Sequence, residues 1–288
     1  MSPHPVRKLG TLVEPLAAGV YFAPEAHERY VALGAPADFW AGYYCSRGAC
    51  LGQTPPEVVA AAFGVFNPAH LNEQMPIGWA TGSTPEQYWA ARVEGATLQL
   101  ERLLGEKPDG AERATELLRK IADGMQTAGR PFYAGLKSMP WPGTICGDLW
   151  HAADLVREHR GDTHTAAWTL SYTAPEIMML TELWWDLPHG SYLASRHWSP
   201  EDVARGLASI RSRGLVDGDP PTLTDAGLRA RVELEDLTDA GEAYVLDAIT
   251  DAERDELFGI LAPMAATICA GGGYPADPNQ RTLPGVEE

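Results

Sequence analysis

The segment EHRGDTH at residues 158–164 contains the side chains that acid–base catalysis requires. Histidine and carboxylate groups can exchange protons near neutral pH, and an arginine can bind an anion or polarise a carbonyl. If the segment forms a corner between two helices, it brings a base, its orienting carboxylate and a cation together. We therefore expect His164 and Asp162 to act as catalytic residues, and Arg160 and Trp168 to contact a substrate.

A structural interpretation of the same segment stays open. A helix over 149–159 can end at Gly161, because glycine readily adopts the backbone conformation that ends a helix. Asp162 can then cap a second helix through Ala166 and Ala167. In this interpretation Arg160 pairs with neighbouring acids and the segment has no catalytic role.

Metal binding by the histidines of this region is a weaker alternative. On one helix, His151 and His159 would point about 80° apart, and His164 would lie beyond the expected helix end. The sequence predicts no metal site and no cofactor. The four cysteines are widely spaced without a CxxC pair and are interpreted as buried thiols.

A second set of polar residues interrupts apolar runs in the first part of the chain. Polar groups are costly to bury without partners, so such residues mark either internal ion pairs or a binding site. Glu25 is a third catalytic candidate, and Arg47 could anchor an anion or a carbonyl. An ion pair between Glu25 and Arg47 is the structural alternative. The substrate-binding candidates of this region are Arg47, Asn67, Tyr44 and Tyr21.

The elements that would position these residues are mainly helices. Apolar residues recur at helical spacing over 56–66, 85–104 and 111–125, with glycine, proline and polar clusters between them. Thr84 and Gln87 fit a capping box with Pro85 at the first helical position. We expect a helical N-terminal lobe over residues 10–138, bounded by the proline-rich stretch that follows.

The sequence of the second half of the chain predicts a winged-helix lobe over 144–270, followed by a flexible tail over 271–288. A helix over 175–185 precedes a helix that starts at Ser199, and two short strands with a turn at 217–221 follow. The expected fold class is therefore mainly α, with a helical N-terminal lobe and a winged-helix C-terminal lobe that has a short two-stranded β wing.

Charge and composition exclude several function classes. The chain has 22 Lys and Arg against 39 Asp and Glu, a formal charge of −17, which repels nucleic acid and anionic lipid. No apolar stretch reaches the length of a membrane span, and the N-terminus lacks the apolar segment of a signal peptide, so a cytoplasmic location is expected. Phosphate-loop, dinucleotide, zinc-protease and nucleophile-elbow motifs are absent from the sequence.

One stretch resembles a known family. The run RGLVDG…LTDAGLRAR resembles the recognition-helix end and wing of MarR-type winged-helix proteins. With the wing, the stretches YFAPEA, AGYYCSRGACLG, FNPA and LWHAADLVREHRGDTHTAA resemble an uncharacterised actinobacterial helix-turn-helix family over residues 10–275. The resemblance implies transcriptional regulation, and pairing through terminal helices such as 251–269 would give a homodimer.

Local charge argues against DNA recognition. The N-terminal turn of the helix that would enter the major groove is Pro200-Glu201-Asp202, and the wing tip has Asp217 and Asp219. The leading hypothesis is a repurposed winged-helix scaffold that binds an organic small molecule between its lobes, as a cofactor-independent acid–base enzyme without nucleic-acid partners. A ligand-responsive regulator and a protein-interaction module are the alternatives, the former presenting Arg205, Arg211 and Arg213 to DNA.

Overall fold

A computed structural model describes residues 4–275 of the chain. Helices make up 72% of it, and one two-stranded antiparallel sheet accounts for the strands, so the expected mainly α fold with a short β wing is confirmed. The helices of the first half are α1 (Pro5–Ala18), α2 (Pro24–Ala32), α3 (Trp40–Gly48), α4 (Pro56–Phe63), α5 (Pro68–Trp79), α6 (Pro85–Leu104), α7 (Ala111–Gly124) and α8 (Pro131–Lys137).

The second half begins with the longest helix. Its elements are α9 (Ile145–Trp168), α10 (Ala174–Trp184), α11 (Ser191–Ala194), α12 (Pro200–Ser212), β1 (Val216–Asp217), β2 (Thr222–Leu223), α13 (Asp225–Glu242) and α14 (Asp251–Ala270). Short 3₁₀ turns follow α1, α3 and α13.

Local signals set the starts of many helices. Thr84 accepts from the backbone amide of Gln87, whose side chain accepts from the Thr84 amide, which completes the predicted capping box of α6. Ser199 and Asp202 form the equivalent box at the start of α12. Proline occupies the first turn of α6 and α12, where a missing amide hydrogen removes no helical hydrogen bond.

The predicted break at Gly161 is wrong. Helix α9 runs without interruption for 24 residues, so Gly161 does not end a helix and Asp162 does not cap a new one. A glycine inside a helix costs about 1 kcal/mol relative to alanine. Helix α9 packs against α1, α6, α7, α8 and α13, and this tertiary packing outweighs the local preference.

The main hydrophobic core joins helices from the two ends of the described residues. It contains Leu9 and Leu16 of α1, Leu149 of α9 and Leu261 of α14, all less than 2% exposed. The core thus crosses the expected boundary between 138 and 144, and the division into two lobes stays a prediction. Residues 271–275 also join this core, through Tyr274, while 276–288 of the predicted tail lie outside the described residues.

A smaller unit, formed by helices α10–α13 and the β1–β2 hairpin, packs beside this body. We call it the wing unit. Val216 pairs with Leu223 and Asp217 pairs with Thr222 in the hairpin. Met179, Ile210 and Val216 are buried together in its core. The helix–hairpin arrangement predicted from 199–231 is therefore present.

The structure bears on two expectations from the sequence, one about membrane crossing and one about the dimer surface. Within residues 4–275, no helix combines the length and the apolarity that crossing a bilayer requires. The helix proposed for dimer formation is α14, and its apolar residues Leu257, Leu261 and Ile268 are buried against the rest of the chain. A homodimer through this helix remains a prediction, with only the outer side of α14 available for it.

Candidate functional site

A cavity of about 730 Å³ lies between the main body and the wing unit. This size is typical of sites for organic ligands. We call it the central cavity. Helices α1, α3, α4, α9 and α14 line it from the body, and α10, α11 and α13 line it from the wing unit. Its charged side chains are Arg7, Glu14, Arg47, Arg157, Glu158, Arg160, Asp162, Arg196, Arg231 and Glu235.

An ion cluster forms the body side of the cavity. Nη2 of Arg47 donates to both carboxylate oxygens of Glu158, each at 3.2 Å, and Nη1 of Arg157 donates to Oε1 at 2.6 Å. The Tyr21 hydroxyl donates to the same oxygen at 3.3 Å and accepts from Arg157 at 3.2 Å. Burial alone would raise the pKa of Glu158, but the charges of Arg47 and Arg157 lower it below its usual range. Glu158 therefore stays ionised.

Helix α3 presents Arg47 to this cluster through an aromatic cage. The guanidinium carbon lies 4.4 Å from the ring centroid of Phe63 and 4.8 Å from that of Phe132. Such contacts stabilise a desolvated cation. The buried Nε of Arg47 has no hydrogen-bond partner within residues 4–275, so the donors of this side chain are not all satisfied by the protein.

Asp162 lines the cavity next to this cluster and is almost fully buried. Its Oδ2 accepts from the backbone amide of Tyr133 at 3.0 Å, at the N-terminal turn of α8. Asp162 is thus a capping residue, but for α8 and not for its own helix. Burial raises its pKa to about 7, although the hydrogen bond from Tyr133 opposes this shift. Near neutral pH both protonation states of Asp162 are populated.

His164 has a defined tautomer. Its Nδ1 lies 2.9 Å from Oγ1 of Thr238, and that hydroxyl donates its single hydrogen to the carbonyl of Leu234 at 2.7 Å. Nδ1 of His164 therefore carries the hydrogen, and Nε2 has a free lone pair. Burial, together with the charge of Arg231, lowers the pKa of His164 to about 4. The imidazole is neutral at pH 7.

The two acid–base candidates do not form a pair. Residues two apart on a helix are separated by about 200° around its axis, so His164 and Asp162 point to different sides of α9. For His164 the expected grouping of a base with an orienting carboxylate is wrong, because Thr238 is the residue that hydrogen-bonds to Nδ1 of His164. Gly161 lies on the cavity face between them and is exposed, so a ligand could contact both residues.

Arginines also dominate the region where α9 faces α13 of the wing unit. Nη2 of Arg231 lies 2.7 Å from Oε1 of Glu235, and Nη2 of Arg160 lies 3.2 Å from Oε2 of the same carboxylate. Arg160 also pairs with Asp239 at 2.9 Å, as the structural interpretation of the segment expected. Arg231 is 2% exposed, and its Nη1 is buried without a hydrogen-bond partner in the described part of the chain.

Three predicted site residues lie away from the cavity lining. Glu25 pairs with Arg102, with Nε to Oε1 at 2.5 Å, so the expected ion pair with Arg47 is wrong. Asn67 caps α5 and donates to the carbonyl of His197 at 2.6 Å. The Tyr44 hydroxyl lies 2.8 Å from Nδ1 of His70. Six predicted residues do line the cavity: Tyr21, Arg47, Arg160, Asp162, His164 and Trp168.

Arg196 is a cavity residue that the sequence analysis missed. Its guanidinium carbon lies 4.6 Å from the ring centroid of Tyr192 and 5.3 Å from that of Phe66. The sequence did contain a signal for Arg196, because no acidic residue lies between Asp186 and Glu201 to pair with this arginine. Arg157 and Arg231 were also missed, since their helical surroundings resemble ordinary surface sequence.

The histidines of the metal-binding alternative lie in separate environments. His151 lies among Trp89, Trp141 and Trp150, whereas Nδ1 of His159 lies 2.8 Å from Glu242. Within residues 4–275 no group of three or more His, Cys, Asp or Glu side chains is arranged to hold a metal ion.

The arginines of α12 and its C-cap residue Arg213 are engaged within the chain. Arg205 pairs with Asp202, and Arg211 donates to the carbonyl of Gly218 in the hairpin turn. Arg213 donates to the carbonyl of Ser171 at 3.0 Å. Glu201, Asp217 and Asp219 are exposed.

Comparisons with known proteins identify one family. A model described as a helix-turn-helix family matches residues 6–275, which is nearly the whole chain. Beyond it, no curated protein and no solved structure shows significant similarity to the chain. The label describes a fold element and leaves the activity open. By the length of this match, the chain belongs to this helix-turn-helix family.

Proposed function

We propose that this protein binds an organic small molecule in the central cavity and acts on it by acid–base chemistry, without binding DNA. The observation that carries the proposal is the cavity itself, which brings residues of α1, α3, α9 and α13 to one space of about 730 Å³. Ligand sites of this kind combine apolar walls with a few polar groups that fix orientation. Phe63, Phe66 and Trp168 supply the walls.

His164 and Asp162 supply complementary proton chemistry. His164 is neutral at pH 7 with Nε2 as a proton acceptor, because Nδ1 donates to Thr238. Asp162 has a pKa of about 7 and can therefore donate or accept a proton. Different environments have moved the two groups to different protonation states, a pattern typical of acid–base sites. A substrate lying over Gly161 would contact one group at each side.

The wing unit favours this proposal over DNA binding. Each arginine of the recognition-like helix has a partner within the chain, and carboxylates are exposed nearby. Binding to the phosphates of DNA requires free cations, whereas the arginines of α12 are paired and the exposed charged groups include carboxylates. The family and the hairpin beside α12 favour a second candidate, a winged-helix regulator of MarR type that responds to a ligand in the same cavity.

The cavity is tested with a neutral fluorescent probe. N-phenyl-naphthylamine brightens in apolar cavities, and we expect saturable binding to the wild type. Gly161→Leu places a side chain inside the cavity, whereas the Gly161→Ala control adds a single methyl group. The leucine variant should lose the probe and the alanine variant should keep it, with both variants folded by circular dichroism. Equal binding to all three proteins would refute a site at this cavity.

The acid–base role is tested with His164→Ala and Asp162→Asn. Substrates are first sought by incubating the protein with a metabolite extract and recording mass changes by mass spectrometry. Both variants should still take up the probe and should lose the mass change that the wild type produces. A mass change that survives in both variants would remove these residues from the chemistry.

DNA binding is tested by selection from a random duplex library at physiological salt. We expect no enriched sequence. Enrichment that disappears in the Arg211→Ala, Arg213→Ala double variant would establish the regulator instead.

A further inference from the structure

Arg196 differs from every other arginine that lines the central cavity. Arg7, Arg47, Arg157, Arg160 and Arg231 each lie within ion-pair distance of at least one carboxylate. In residues 4–275 Arg196 has no such carboxylate. Among the described residues, the side chain of Arg196 forms a single hydrogen bond, a neutral one from Nη1 to Oγ of Ser195 at 2.6 Å. The positive charge of this side chain is therefore not balanced by a nearby acid.

The surroundings of Arg196 hold the cation in place without neutralising it. The rings of Tyr192 and Phe66 lie 4.6 Å and 5.3 Å from the guanidinium carbon, and both rings line the cavity. Nε of Arg196 is buried and has no hydrogen-bond partner among the described residues. An unpaired buried donor on a charged group is unfavourable, so a missing partner is the simplest explanation.

The charged side chains of the cavity lining are net positive. Six arginines and four carboxylates face the cavity, although the chain has a net charge of −17. One of the four, Asp162, is only partly ionised near neutral pH, since burial raises its pKa to about 7. The net positive lining favours an anionic ligand over a cationic one.

We propose that the ligand of the central cavity is an organic anion, a carboxylate attached to a flat apolar body, and that Arg196 binds the carboxylate. The flat body would lie against Phe66 and Tyr192, which flank the guanidinium. A single unpaired guanidinium matches one negative charge, which fits a carboxylate better than a doubly charged phosphate. This inference rests on the proposed function, because it needs a ligand in the cavity.

Two dyes with the same aromatic body separate charge from shape. Anilinonaphthalene sulfonate is an anion, and N-phenyl-naphthylamine is its neutral counterpart. The measured quantity is the ratio of their dissociation constants in the wild type, Arg196→Gln and Arg196→Lys. Arg205→Gln is the control, because Arg205 lies outside the cavity lining and pairs with Asp202.

We expect Arg196→Gln to weaken the anionic dye by about tenfold, the effect of losing one charge-assisted hydrogen bond. The neutral dye should bind this variant as it binds the wild type, Arg196→Lys should retain part of the preference, and Arg205→Gln should change neither dye. Thermal unfolding shows whether each variant is folded.

The remaining outcomes contradict the inference in different ways. If Arg196→Gln weakens both dyes equally, Arg196 shapes the wall and does not bind the charge. If neither dye changes in Arg196→Gln while Gly161→Leu still excludes both, the cavity binds ligands but Arg196 is not the anchor. If the wild type binds neither dye, or Gly161→Leu excludes neither, the proposed function fails together with this inference.

Discussion

The imidazole rings of His70 and His197 stack on each other, with their centroids 3.4 Å apart and their planes 15° apart. His70 belongs to α5 of the main body, and His197 follows α11 of the wing unit. Trp40 packs edge-on against both rings, at 5.2 Å and 4.4 Å. The stack therefore joins the two parts of the molecule next to the central cavity residues Phe66 and Arg196.

This stack predicts a sensitivity to acid. Burial, with the neighbouring His197, lowers the pKa of His70 to about 4, and burial also lowers that of His197. Both pKa values lie below the unfolded value of about 6.5, so the stabilising contribution is complete above pH 6.5. It is lost as the pH falls, through about 4 in the case of His70. Denaturant unfolding between pH 7 and pH 4 should show a smaller loss of stability in a His70→Gln, His197→Gln double variant than in the wild type. His27→Gln, on α2, is the control. Equal losses in all three proteins would show that the stack does not titrate in this range.

Asp162→Asn should separate the capping role of Asp162 from its charge. Asparagine keeps an oxygen for the Tyr133 amide and cannot ionise. The folded pKa of about 7 lies above the unfolded value, so this group stabilises the fold at low pH and loses that contribution as the pH rises through 7. At pH 8 the asparagine variant should exceed the wild type by at least about 1 kcal/mol in unfolding free energy. Asp162→Ala, which lacks the acceptor, should be less stable than Asp162→Asn. A wild type that is the most stable of the three at pH 8 would contradict the raised pKa.

Glu158→Gln should strongly destabilise the protein. The change leaves Arg47 and Arg157 as buried cations without their shared carboxylate. Removing one partner of a buried ion pair costs about 3–5 kcal/mol. The control is Glu256→Gln on the surface, where the carboxylate accepts three guanidinium hydrogen bonds from Arg113 but is solvated. Unfolding free energies from urea titration should differ clearly between the two variants, and similar values would show that the Glu158 cluster is solvated.

Gly161→Ala should stabilise the protein. A Cβ at this position meets only Oε2 of Glu158, at 3.5 Å, and alanine gains about 1 kcal/mol over glycine inside a helix. Gly95 is the matched control, because its Cβ would approach Cα of Ala26 to 2.3 Å where α6 crosses α2. Gly95→Ala should therefore lower the melting temperature while Gly161→Ala raises it. A lower melting temperature for Gly161→Ala would mean that the added methyl group clashes with atoms on the cavity face of α9.

Sequence patterns gave the helical elements well where the signal is local. The helix over Pro85–Leu104 and the start of α12 after Ser199 depend on hydrogen bonds within one turn, and both agree with the structure. The break at Gly161 failed because the stability of α9 comes from five packed neighbours and not from its own residues.

The same distinction between local and distant interactions applies to the candidate site. Sequence selected His164, Asp162 and Arg47 from their chemistry, and all three line the cavity. It could not give their partners, because these come from distant positions: Thr238 is 74 residues from His164, and Glu158 is 111 residues from Arg47. The partners also set the pKa values, since burial and nearby charge act only in the folded chain.

By itself the sequence determined the mainly α class, the hairpin beside α12, the acidic charge and the helix starts, because each depends on residues a few positions apart or on composition. The tertiary structure decided which arginines are neutralised. The carboxylates that reach Arg47 and Arg160 come from other helices, and none reaches Arg196 within residues 4–275. Ion pairing acts over a few ångströms, and only the packing of helices far apart in the chain sets those distances.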